Sequence, residues 1–401
     1  MHEDGYVRTF YKAIKDGTAD GVIARTFITG VSPIMLDDVT SGANIFTISS
    51  NDKDLNAMLG ITEEEVNTIL DYYKLDNIIK KEKLLNIFKG YCNGYKFNEK
   101  ITDTVYNTDM VLYIIKNIVQ KQEYPEKLID ENVKTDYGRL RNIAENFVTK
   151  EDMLNMLEEG EVGPVEIKDR FNLESLYKGD DKTANVRSLL YYLGMFTIGK
   201  TYGNKVMLKV PNYTVKSLYW EYMSRVYEID KAARYEDLAK AMETMRMECS
   251  IEDIMTIYTS VINRLSSRDL SYFNEASCKS IFITLAYTDG IYLIASEREA
   301  SGGYSDLYLK ENVIYKEYVK YRYMIEFKHI KVSELKGDIN KLSYEELKKL
   351  NKDIIKQKQK EAKNQLENYM KEHNVIGDRI LKKFTVVVLG RKYVEYETID
   401  N

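Results

Sequence analysis

A five-residue run, Met324-Ile325-Glu326-Phe327-Lys328, constrains the chain more than any other. Side chains of a strand alternate between its faces, so Glu326 and Lys328 share one face and Ile325 and Phe327 the other. A strand that is apolar on one side and carries a carboxylate and an ammonium on the other belongs to a mixed α/β domain, with one face packed on a core. Its surroundings agree. Ser280–Tyr287 is apolar with helical spacing, Gly290–Ser296 and Tyr304–Leu309 predict two strands, and Tyr323–Ile330 predicts a third. Lys341–Glu372 predicts one long charged helix and Lys383–Leu389 a last strand. Residues 271–401 therefore predict one α/β domain.

Asp306 shares a strand face with Tyr304 and Tyr308. If the strands of Asp306 and Glu326 are neighbours, Asp306, Glu326 and Lys328 meet at one sheet edge. Two carboxylates there suit a hard divalent cation such as Mg²⁺ or Mn²⁺. Such an ion lowers the pKa of a bound water and neutralises charge on a phosphate, and a lysine beside it orients the water or stabilises developing negative charge. This is chemistry for phosphodiester hydrolysis. A lone E-x-K is common, and by itself describes a solvated strand face.

Here it has company. Asn274-Glu275 opens a helix upstream, Ser296-Glu297-Arg298-Glu299 and Gly302-Gly303-Tyr304-Ser305-Asp306 precede the E-x-K strand, and Gln365 and Tyr369 lie one turn apart on the following helix. This ordered set resembles the PD-(D/E)xK nuclease domain at the C-terminus of bacterial AAA-ATPase-like proteins. The resemblance implies a restriction-endonuclease-like α/β fold and a catalytic set of Glu275, Asp306, Glu326, Lys328 and Gln365. It implies Mg²⁺ or Mn²⁺ on Asp306 and Glu326, and nucleic acid, DNA first, as partner. Ser305 stands where the family motif has proline. Without the family, Glu275 reads as an acid stabilised by a helix N-terminus, Gln365 as a surface amide, and His329 as a plain strand neighbour.

A second resemblance covers the N-terminal part. Phe27-Ile28-Thr29-Gly30-Val31-Ser32-Pro33-Ile34, Leu36-Asp37-Asp38, Thr40-Ser41-Gly42 and Tyr106–Tyr113 are similar to the sensor strand, its loop and a later helix of the same ATPase-like family. By its apolar, β-branched composition Ala24–Val31 is itself expected to be a buried strand. The phosphate-binding loop and acidic strand of that family would precede it, and the sequence has no room for them there, so a complete ATP site is not expected. A missing ATPase half or self-association would cover the exposed apolar surface. Gly194–Thr201 does fit G-x-x-x-x-G-K-T. A working loop follows a strand and opens a helix, however, and this run follows a helix and precedes the strand Val206–Val210.

The expected architecture is thus multidomain, α/β and mostly helical. It comprises a partial AAA-like ATPase region (1–137), a winged-helix-like middle (138–225) of helix, hairpin and helix, a helical linker (226–270) and the nuclease-like domain (271–401). The hairpin carries Lys200, Lys205 and Lys209, which suit DNA contact or a protein interface. A net charge of −5 speaks against DNA binding by the whole surface and leaves a local basic groove open. That charge and the missing ATPase half support the alternative, a non-catalytic member that binds nucleic acid or protein. Three scattered cysteines and three histidines predict neither a zinc site nor disulfides, and with no signal peptide or apolar span they predict a cytoplasmic, membrane-free protein. Frequent Lys, Asn, Ile and Tyr suggest a low-GC bacterial genome.

Overall fold

The computed structural model describes residues 6–30, 47–125, 128–129, 160–169, 171, 174–265, 273–296, 307–312, 314–372 and 379–399. The chain divides into two compact units, Met1–Asp152 with Glu161–Lys216, and Met153–Gly160 with Ser217–Asn401.

In the first unit, α1 (Tyr6–Ala19), α2 (Glu63–Tyr72), α3 (Lys81–Tyr91) and α4 (Thr108–Lys121) precede β1 (Glu161–Val165). Thr62 caps α2, and Glu65 completes a capping box. Residues 24–30 do not form the expected strand. Phe27 is 73% exposed, and no described strand pairs with the segment. An apolar, β-branched run gains nothing from an extended shape without a neighbour to take its backbone hydrogen bonds. Val31 lies outside the described residues, as does the loop that follows it.

Next come α5 (Lys182–Tyr192), β2 (Thr197–Tyr202), β3 (Lys205–Lys209) and α6 (Tyr213–Val226). The hairpin forms as predicted, and β1 joins it in a three-stranded sheet of order β1-β3-β2. The G-x-x-x-x-G-K-T run, Gly194–Thr201, follows the end of α5 and runs into β2. The amides of Gly194, Met195 and Phe196 donate to carbonyls of Tyr191 and Leu190, so they cap a helix rather than line a phosphate cradle.

The second unit holds α7 (Ile229–Ala232), α8 (Tyr235–Glu248), α9 (Glu252–Arg264), α10 (Glu275–Asp289), β4 (Tyr292–Ser296), β5 (Leu307–Glu311), β6 (Tyr321–Ile330), α11 (Tyr344–Leu350), α12 (Lys352–Glu372), β7 (Ile380–Leu389) and β8 (Tyr393–Ile399). The sheet order is β4-β5-β6-β7-β8, antiparallel except for the parallel β6–β7 pair joined across α11 and α12. Both faces of β6 are covered. Phe327 packs against Phe282 of α10 and Tyr258 of α9, with ring centroids 5.5 and 5.9 Å away. On the other face Met324 packs with Leu366 of α12, and Ile330 with Leu347 and Ile355.

The expected single helix over Lys341–Glu372 starts at Tyr344 and breaks at Asn351. Asn351 is 2% exposed. Its side chain accepts from Lys336 N at 2.7 Å and donates to Lys336 O at 2.9 Å. These bonds tie the break to a preceding loop, which helical periodicity alone does not reveal.

Candidate active site

Glu326 and Lys328 are carried by the central strand and point to its α12 face. Both side chains are almost fully buried, at 5% and 7% exposure. Lys328 Nζ donates to Glu326 Oε1 at 2.6 Å and to Glu275 Oε1 at 2.8 Å. Glu275 is brought there by the start of α10. Asn274 caps that helix, accepting from Ser277 N at 2.9 Å, and the first-turn carboxylate suits the positive end of the helix dipole. The structure thus joins three sequence-predicted residues, Glu275, Glu326 and Lys328, around one ammonium.

Burial presses the Lys328 pKa down, but the charges and hydrogen bonds of Glu326 and Glu275 outweigh it and leave the ammonium above the ordinary lysine value. Burial pushes the Glu275 carboxyl up, against the pull of Lys328. Its side chain is still 47% exposed, so solvent screens that effect.

The second oxygen of Glu326 is buried and has no partner. Facing it in register on β7 is Thr385, 1% exposed, whose hydroxyl is also without a partner. On α12, Lys358 donates to Glu361 at 2.8 Å. That bond is the main cause holding the Glu361 carboxyl below its ordinary range, with a smaller contribution from Lys328. The charge of Lys358 in turn acts on Glu275, so these α12 side chains border the site. Sequence reading missed Thr385, Lys358 and Glu361. Thr385 had one signal, a lone hydroxyl inside the apolar run Phe384–Leu389.

Gln365 is exposed on α12, one turn beyond Glu361, and makes no hydrogen bond to Glu326 or Lys328. Asp306 lies outside the described residues. Its chain neighbour Leu307 pairs with Ile325, the chain neighbour of Glu326. His329 turns away from the cluster: its Nε2 lies 2.8 Å from Gly390 O.

A family model described as the PD-(D/E)XK nuclease superfamily matches residues 273–397, from Phe273 ahead of α10 into β8. Residues 273–397 are a PD-(D/E)XK nuclease superfamily domain. The match begins just before the carboxylate of Glu275 and contains the whole Glu275–Glu326–Lys328 cluster. It does not extend to residues 1–272. No curated protein matches the chain, and no solved structure matches it. PD-(D/E)XK nucleases generally use Mg²⁺ or Mn²⁺. Among the described residues no three His, Cys, Asp or Glu side chains are grouped to hold a metal ion. The free, buried oxygen of Glu326 is nevertheless a hard donor of the kind such ions prefer. Among the described residues no helix is long and apolar enough to cross a membrane.

Proposed function

We propose that residues 273–397 hydrolyse phosphodiester bonds of nucleic acid, with DNA as the first candidate substrate and RNA as the alternative. The carrying observation is the Glu326 carboxylate, buried with one oxygen on Lys328 and the other on nothing. Withdrawing a carboxylate from water costs several kcal/mol, of order, unless all its acceptor sites find partners. A divalent cation on the free oxygen offsets that cost.

In this reading Glu326 holds Mg²⁺ or Mn²⁺ together with Asp306, the residue before Leu307 in the chain. The ion, when bound, supplies a water of lowered pKa and neutralises charge on the phosphate. Lys328 orients the attacking water and stabilises the negative charge that develops on the phosphate. An ammonium has three donors, and Glu326 and Glu275 take two, leaving one for this task. Glu275 holds the ammonium in place. Gln365, exposed on α12, is assigned a supporting role on the family resemblance. The ATPase-like reading of residues 1–137 and the winged-helix-like reading of 138–225 rest on sequence resemblance, and DNA contact by the hairpin lysines rests on their clustering.

The test is a Mn²⁺-supported cleavage assay on single- and double-stranded DNA and RNA, with Glu326→Ala and Lys328→Ala in parallel. The parent should cut at least one substrate, and each variant should lose roughly 10²-fold or more. Cleavage that survives both substitutions sinks the assignment of the site. No cleavage of any substrate turns the reading to nucleic-acid binding without cutting.

A further inference from the structure

We infer that Thr385 is a positioning residue of this site, its hydroxyl acting with the free oxygen of Glu326 to hold a hydrated divalent cation. The inference rests on the metal-dependent reading of Glu326 above. It starts from two independent observations on neighbouring strands. Thr385 and Glu326 are partners in the parallel β6–β7 ladder, so their side chains leave the sheet on the same face. Glu326 Oε2 and Thr385 Oγ1 are both buried polar atoms without a partner.

A threonine whose hydroxyl served no purpose would be poorly chosen here. The flanking residues of β7 on this face are Lys383 and Val387, and Val387 belongs to the apolar cluster of Ile330, Leu347 and Ile355. Valine has the shape of threonine without the unpaired hydroxyl, and the same strand uses it at Val386, Val387 and Val388. An unpaired buried hydroxyl destabilises the fold relative to that isostere.

The hydroxyl has chemistry that fits the ion. Mg²⁺ is bound by one or two carboxylates and keeps several of its waters. Those waters donate hydrogen bonds and need acceptors. A threonine hydroxyl has two acceptor lone pairs and one donor, so it can take a bond from the ion's hydration shell. Partners of this kind, behind the residues that touch the ion, fix the orientation of its ligands, here the waters.

The experiment uses the full chain and Mn²⁺ as probe. Calorimetric titration compares the parent with Thr385→Val, Thr385→Ser and Glu326→Gln, and each protein is melted without metal. Thr385→Val is expected to bind Mn²⁺ about 10-fold more weakly or worse, with a melting midpoint equal to or above the parent's. Thr385→Ser, which restores the hydroxyl, should recover most of the affinity. Parent-like Mn²⁺ affinity in Thr385→Val, with affinity lost in Glu326→Gln, overturns the Thr385 assignment and leaves the Glu326 reading standing. Equal affinity in the parent and Glu326→Gln, or no binding by the parent, overturns both. A loss in Thr385→Val that Thr385→Ser does not reverse shows a packing role and overturns the inference.

Discussion

Lys328 and Glu326 should respond unequally to the loss of their partner. Lys328 has two carboxylates, at 2.6 and 2.8 Å, whereas among the described residues Glu326 has Lys328 as its one ion-pair partner. Lys328→Met keeps the length of the side chain and removes the charge. Glu326 is then a buried carboxylate with neither oxygen paired, a change that costs about 3–5 kcal/mol. For a unit of this size that corresponds to roughly 6–20 °C in melting midpoint. Glu326→Gln leaves Lys328 paired with Glu275 and keeps an acceptor oxygen, so it should cost about 1–3 kcal/mol. The double variant removes both charges and should be more stable than Lys328→Met alone. A divalent cation should restore Lys328→Met in particular, because it supplies the positive charge that Glu326 has lost. At 100 times its dissociation constant it adds about 2.7 kcal/mol. Thermal melting of the four proteins with and without Mn²⁺ measures all of this. If Lys328→Met melts with the parent, or Glu326→Gln is as damaging as Lys328→Met, the partner accounting is wrong.

Two further predictions concern stability away from the acidic cluster. Burial holds the His329 imidazole below its ordinary range, against the pull of Gly390 O. The unfolded chain therefore takes up the proton first, near the ordinary value of about 6.5, and stability should fall as pH drops from 7 to 5. His329→Gln should flatten that slope in denaturant melts, and an unchanged slope refutes the assignment. In the first unit, Gly94 has φ +103°, and a Cβ there would lie 2.0 Å from Pro211 O. Gly94→Ala should cost about 2 kcal/mol or more, because backbone strain and a clash with a carbonyl coincide. A parent-like denaturation midpoint would contradict it.

How much of this was legible in the sequence depends on the range of the interaction concerned. The E-x-K face follows from strand alternation and needs only neighbouring residues, whereas Glu275 comes from the family resemblance, since locally it reads as a helix N-terminal acid. The burial of Glu326 and Lys328 did not follow, because it comes from α12 lying over that face of β6. The Thr385 partnership depends on the β6–β7 register, set between strands on either side of two helices. The break at Asn351 was hidden inside a uniformly charged run, since the bonds that cause it reach back to Lys336. β8 was missed because its charged, half-exposed residues contain no apolar run. Its ladder partner β7, by contrast, is an apolar run that announces itself. Over Ala24–Val31 the error ran the other way. Local composition promised a strand, and pairing, which composition does not contain, did not follow among residues 24–30.

The placement of the polar residues is itself informative. Along the α12 face of β6 the order is Met324, Glu326, Lys328, Ile330, so the charged pair lies between two apolar clusters. Stability alone would fill that stretch with hydrocarbon, because well-packed apolar side chains of similar volume often equal or exceed a buried ion pair. The pair is not a self-contained structural bridge either, since one Glu326 oxygen and the hydroxyl facing it on β7 lack partners. A closed network would satisfy its members internally, whereas this one presents donors and acceptors to something further. Its position is consistent with that. Among the described residues β5 pairs with β6 from Leu309–Tyr323 to Leu307–Ile325, next to Glu326, and β6 pairs with β7 through Glu326 and Lys328. The start of α10 delivers Glu275 to the same stretch of β6. A buried carboxylate there has the low-dielectric surroundings that strengthen binding of a cation, and Glu275 beside it is still 47% exposed.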